Sequence, residues 1–314
     1  MKIGMGIPET GPQATRTALD AWIERAEGLG YAHFNVSDHI VIPTAIESSY
    51  PYSETGDVSG WGACVDQFTY LAYLAAITKS ARLISSVTVI PLRGAMHTAK
   101  IVSTIDVLSG GRMILGIGVG WLEEEFEAVG APPFKARGRV TDEYLQAFKA
   151  LWTEDDPRFE GEHVRFADVI FEPKPVQRPH PPIWVGGEST PAMRRAVRHG
   201  DAWHPIYSNP RHPLDTLARM ADAIDRLRRL AEENDRDPDS VGIAYCGAWS
   251  AEPATADDGQ RRLLTGADRD VAEDIQALEA LGVGDLLLGF KGDTLEASLD
   301  NMQYFADEIW RLAK

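Results

Sequence analysis

The sequence is poor in cysteine, in clustered basic charge, in long apolar runs and in paired histidines, and each shortage removes a class of protein. Only two cysteines, Cys64 and Cys246, occur among 314 residues. They lack C-x-x-C spacing, so neither a disulfide framework nor a thiolate metal centre organises the chain, and buried reduced thiols are expected. Lys and Arg number 31 against 47 Asp and Glu, a formal charge of −16. That excess repels nucleic acid and anionic membrane surfaces unless a local patch overrides it. The densest basic run, Arg226-Leu227-Arg228-Arg229, lies in an apolar-periodic stretch beside Glu232 and Glu233 and reads as a solvated helix face.

No stretch approaches ~18 consecutive apolar residues, and the chain enters its first strand with no signal-peptide pattern. A cytoplasmic protein is expected. Histidines 33, 97, 163, 180, 199, 204 and 212 show no H-x-E-x-H pairing, so no metal site is expected. No G-x-S-x-G elbow supports hydrolase chemistry.

What is present is ordinary globular composition, 44% hydrophobic with 28 Gly and 19 Pro, arranged as alternating strand and helix patterns. Strand-like runs fall at residues 3–7, 33–36, 83–90, 113–119, 183–185, 201–204, 241–245 and 285–288. Helical spacing follows at 15–29, 67–78, 98–108, 142–152, 191–198, 214–234, 268–281 and 295–312. Eight such units predict an α/β fold, a closed (β/α)₈ TIM barrel rather than an open sheet. One domain over 1–314 is expected, with the length above ~250 residues absorbed by insertions near 40–65, 153–182 and 251–266. A short hairpin is expected around Gly161.

Chemistry in a parallel barrel sits at the C-terminal ends of the strands. Asp38-His39, after the second strand, offers a carboxylate and an imidazole for proton transfer; the alternative is a cap in which His39 bonds the following loop. Gly116-Ile117-Gly118-Val119-Gly120 lies within a strand and is not G-x-G-x-x-G, so it is no dinucleotide fingerprint. Glycine there admits a flat ring or a neighbouring backbone. Gly186-Gly187-Glu188-Ser189-Thr190 before Pro191 is either an anion site at a helix start or an ordinary N-cap at Thr190.

Several segments together resemble the bacterial luciferase-like superfamily, within it the branch assigned to the deazaflavin F420. They are Ser37-Asp38-His39, the run 99–121 (AKIVSTIDVLSGGRMILGIGVGW), Glu125-Phe126, Asp142-Glu143-Tyr144, Leu151-Trp152, Pro173-Lys174-Pro175, the run 181–187 (PPIWVGG) and Gly200-Asp201-Ala202-Trp203. The matches span about residues 1–206.

The resemblance implies an oxidoreductase that moves a hydride between F420 and a small organic substrate, with His39 exchanging the proton. It also implies a homodimer through helical faces near 69–78 and 98–108. The rival is an FMN enzyme using reduced flavin and O₂; more distant readings are a cofactor-free lyase or hydrolase and a non-catalytic binding barrel. Carried over, Gly186, Gly187, Glu188, Ser189 and Thr190 would bind the cofactor phosphate. Thr88, Val89 and Gly118 would lie against the ring, where the family often has a bulge. Asp38 and His39 would flank the reacting edge, and Arg137 would contact phosphate or chain.

An F420 tail is anionic and should call for Arg93, Lys100 or Arg137 at the rim. The mouth is accordingly expected to be neutral or basic, in contrast to the outer helices. Sugar-phosphate-oxidising F420 members carry a Glu where Gly120-Trp121 stands, which would leave His39 without a carboxylate partner from strand four. Trp121 would instead wall an apolar pocket with Trp61, Tyr52 or Trp203.

Overall fold

Met113, Leu115 and Ile117 point outward from one strand while Ile114 points inward, and all four are fully buried. A strand apolar on both faces suits a parallel sheet covered by helices. The computed structural model of the protein, which describes residues 1–56 and 64–314, repeats this arrangement eight times.

In chain order the elements are β1 (Lys2–Gly6), α1 (Arg16–Leu29), β2 (His33–Val36), α2 (Gln67–Ile77), β3 (Arg82–Val89), α3 (Ala95–Leu108), β4 (Met113–Gly118), α4 (Glu123–Val129), α5 (Arg137–Thr153), β5 (Phe159–Glu160), β6 (Arg165–Phe166), β7 (Ile183–Gly186), α6 (Thr190–His199), β8 (Ala202–His204), α7 (Leu217–Glu232), β9 (Gly242–Cys246), α8 (Asp268–Ala280), β10 (Asp285–Leu288) and α9 (Leu295–Tyr304). The parallel strands close in the order β1-β10-β9-β8-β7-β4-β3-β2, the (β/α)₈ barrel expected. β5 and β6 form the separate hairpin around Gly161.

Inside the barrel Ile84, Ile114, Trp184, Ala202, Ala244 and Leu287 make a small core, and the larger core lies between strands and helices. Helix ends follow local chemistry. Thr15 caps α1 through the Ala18 amide, and Gly30 ends it at φ 86°, a conformation glycine adopts without a Cβ penalty.

The glycines of β4 answer one of the open alternatives. The β3–β4 pairing shifts register between Ser85 and Thr88, and the Ser86–Val87 peptide is cis. A Cβ on Gly116 would lie 2.0 Å from the Ser85 carbonyl oxygen, and one on Gly118 2.6 Å from Val87 Cγ2. These glycines make room for the neighbouring strand's bulge.

Three elements differ from expectation. α4 was expected as loop, because its apolar signal is little more than Phe126; three glutamates in its first turn suit a helix N-terminus. α5 begins at Arg137, five residues before the apolar periodicity becomes readable at Asp142. After α9 the chain makes a π-helical turn, Phe305–Trp310, instead of continuing as a uniform helix. Near 251–266 the bridges Ser250–Thr265 and Thr255–Arg261 close a short excursion, pinned by Arg261 and the Leu264 amide on the Asp274 carboxylate.

Candidate active site

His39 follows β2 at the barrel mouth, and its Nδ1 lies 2.9 Å from Oε2 of Glu125 in α4. Both side chains are buried. A carboxylate only accepts, so Nδ1 carries the proton in this contact. Oε1 of the same carboxylate accepts the amides of Ile40 and Val41. The expectation that strand four supplies no carboxylate stands, but His39 is not left without one. The partner comes one element later, from the Glu125-Phe126 pair already present in the family motif.

Asp38 does not share that chemistry. Its buried carboxylate takes both terminal nitrogens of Arg93, each at 2.7 Å, and the Val89 amide at 2.9 Å. Burial pushes the carboxyl up, while the guanidinium and the amide hold the charged form; the bidentate geometry fixes an ion pair. Burial also works against the Arg93 charge, yet Asp38 outweighs it and raises the guanidinium above its ordinary value. Asp38 thus fastens the ends of β2 and β3 together, which removes both Asp38 as a proton carrier and Arg93 as a rim cation. Thr88 is likewise engaged: its hydroxyl donates to Gln67, whose amide donates to the Val36 carbonyl.

Glu9, after β1, escaped the sequence reading. Its carboxylate accepts the Ser37 amide at 2.7 Å and the Ser37 hydroxyl, and burial pushes it up. The only signal was its place after a strand end.

Trp121 stands edge-on to His39 at 6.2 Å and to Tyr50 at 5.1 Å, and Tyr50 meets Tyr52 at 5.7 Å. Trp203 does not join this wall. It is fully buried, and its indole donates to the Gly187 carbonyl at 2.8 Å. Trp61 lies outside the described residues.

At the end of β7, Gly187 turns with φ 104°. Ser189, not Thr190, is the N-cap of α6, accepting the Ala192 amide. The Glu188 side chain faces elsewhere: it accepts the Ile206 amide and the Asn209 side chain, bonds Tyr52, and is pushed up by burial. Only its backbone remains for an anion at the helix start. A cation is present there, since Arg226 donates to the Glu188 carbonyl and reaches Met193 Sδ. Arg226 was expected on a solvated face; α7 instead lays it against the first turn of α6. Burial, then Arg226 and Arg211, lower the nearby His212.

Arg137, Lys100 and Lys174 are engaged elsewhere. Arg137 donates to the Gly120 and Phe134 carbonyls and stacks 3.9 Å over Phe134. Lys100, exposed on α3, lies over Phe171 on the outside of the barrel. Lys174 bonds the Leu151 and Glu154 carbonyls.

The floor of the mouth is polar and small. His204 is buried, with Nδ1 2.6 Å from the Ala244 carbonyl, so Nε2 accepts the Ser86 hydroxyl at 2.9 Å. Burial lowers His204, keeping it neutral. Beside Gly6 the Asn35 side chain keeps a buried oxygen without a hydrogen-bond partner. An orphan acceptor on a polar floor, an aromatic wall and an amide-bearing helix start with an arginine together suit a planar heteroaromatic ring with a phosphate tail.

The profile of luciferase-like monooxygenases matches residues 2–253. The chain belongs to this family. The FMNH(2)-dependent dimethylsulfone monooxygenase of Pseudomonas putida is 31% identical over 286 residues, covering 77% of this chain and 78% of that one. Among solved structures, an F420-dependent secondary alcohol dehydrogenase superposes at TM-score 0.75 with 15% identity, over 100% of this chain and 99% of that one. The oxygenating constituent of 3,6-diketocamphane monooxygenase from Pseudomonas putida, in complex with FMN, does so at 0.70 with 15% identity over 100% and 99%. These two likenesses are of fold. The chain is accordingly an oxidoreductase that uses a flavin-type cofactor. No helix among the described residues is long and apolar enough to cross a membrane.

Proposed function

We propose that the protein is a monooxygenase that uses reduced FMN and O₂ on a small organic substrate, in preference to a hydride-transferring F420 enzyme. One observation carries the choice. The three cations expected to hold an anionic F420 tail are engaged elsewhere: Arg93 on Asp38, Arg137 on backbone carbonyls, Lys100 outside the barrel. FMN ends at its phosphate, for which Arg226 and the α6 amides suffice. The FMN-dependent relative supports the same reading.

Bound there, the flavin would supply the redox chemistry. The chain's own part is geometry and protons. The amides at Ser189 and Thr190 with Arg226 would hold the phosphate, and Ser86, His204 and Asn35 would support the ring. Gly118 would act through the bulge it accommodates. Trp121 and Tyr50 exclude water from one side and orient the substrate. His39, fixed by Glu125, holds or moves a proton at Nε2.

Parallel titrations of the purified chain with FMN and F420, followed by O₂ uptake with the cofactor that binds, test this. FMN binding with substrate-dependent O₂ consumption is expected. Tight F420 binding with none of FMN overturns it in favour of hydride transfer. We also read the chain as a homodimer through α2 and α3, the latter exposing Met96, Val107 and Leu108; a monomer in light scattering overturns that.

A further inference from the structure

A cavity of about 290 Å³ opens between the segments that follow β2, β8 and β9, with Tyr52 and Tyr207 on its walls. A chain of packed rings runs from the mouth to its wall: His39 to Trp121, Trp121 to Tyr50, Tyr50 to Tyr52. Tyr52 also bonds Glu188, so one side chain joins the cavity to the loop after β7. The volume sits at the small end of ligand pockets, enough for a single-ring molecule.

Its charges are arranged against anions. Arg219 is held by Asp215 at 2.7 Å, by Asp257 and by Asp258 at 3.3 Å. Arg262 lies 3.1 Å from Asp215 and 3.8 Å from Glu54 as an ion pair without a hydrogen bond at its Nε. Two guanidinium groups thus face four carboxylates. An incoming carboxylate or sulfonate would have to displace a carboxylate already in place while approaching the others, which like-charge repulsion opposes. Burial raises the Tyr207 hydroxyl and pushes Tyr50 up to about 12, so both remain neutral donors.

We propose that this cavity is the substrate compartment and that it takes a neutral or cationic molecule with a flat apolar face, rejecting anions. The proposal rests on the flavin-dependent reading for the reaction but not for the binding preference.

The test uses three probes that share a benzyl group on the full-length protein, phenylacetamide, phenethylamine and phenylacetate, by calorimetry, with FMN affinity measured on the same samples. The amide and the amine should bind at least about tenfold tighter than phenylacetate. Glu54 and Asp257 are 84% and 81% exposed, so Glu54→Lys with Asp257→Lys leaves the fold intact. That double variant should raise phenylacetate affinity about tenfold and leave FMN affinity unchanged. Tyr52→Leu should weaken the amide, placing it in this cavity.

Phenylacetate binding as tightly as the amide, no binding by any probe, or an order unmoved by the double lysine variant overturns the proposal. Loss of FMN binding in the unmodified protein overturns the flavin reading alone, since the order of the three probes is read independently.

Discussion

Nδ1 of His39 and Oε2 of Glu125 meet at 2.9 Å, both side chains buried, although 86 residues separate them in the chain. The carboxylate fixes the tautomer and, through the Ile40 and Val41 amides, the backbone on which the imidazole stands. Glu125→Gln keeps the volume and an accepting oxygen but removes the charge. Turnover should fall about 10²–10⁴-fold, with FMN affinity and circular dichroism unchanged. Turnover within threefold of the parent would reduce Glu125 to a loop tether.

Arg93→Ala leaves the Asp38 carboxylate buried beside the Val89 amide with its main counter-charge gone. Breaking a buried pair from one side costs about 3–5 kcal/mol. A urea midpoint lowered accordingly is expected, and Arg93→Ala with Asp38→Asn should recover part of it. A loss under ~1 kcal/mol, as for an exposed pair, would contradict the bidentate geometry.

Gly118→Ala drives a methyl toward Val87 Cγ2, 2.6 Å from the ideal Cβ. Val87→Ala removes that atom. The double variant should be more stable than the two single losses predict, with a coupling of about 0.5–3 kcal/mol in a denaturation cycle. Additive losses would mean that Gly118 clears space for something other than the bulge.

Glu124 is half-buried, and its carboxylate accepts the amides of Glu47 and Ser48. Burial pushes it up, but those amides, its own and the Ser48 hydroxyl together outweigh that and lower it from 4.5 to about 2. A depressed carboxyl contributes stability in full above pH 4.5 and loses it as pH falls through about 2. Glu124→Gln should therefore cost most at neutral pH, and the gap to the parent should narrow below pH 4.5 without closing by pH 3. Urea midpoints from pH 7 to 3 check the sign; a gap that widens in acid refutes it.

The barrel was legible because its signals are local. β-branched and apolar runs mark the strands, and 3.6-residue periodicity marks the long helices. α4 was not, since a seven-residue helix with three glutamates in its first turn offers little apolar stripe.

The site divides the same way. His39 and the loop after β7 were readable from their places after strands. Glu125 and Arg226 were not read as site residues, because what matters is where a later helix lays one charged side chain. Trp203 shows the converse error: an aromatic after a strand looks like pocket lining, whereas its indole is used internally on the Gly187 carbonyl. Glu188 lies in the anion-site motif, yet its carboxylate bonds the segment after β8.

Glu124 and Glu125 are neighbours on one helical turn. The first grips residues 47 and 48, and the second grips residues 39 to 41. A molecule that forces the segment after β2 aside must drag the same turn that aims the imidazole. Residues 39 to 41 and 47 to 48 are thus held by one turn, so a displacement of either stretch pulls on the other.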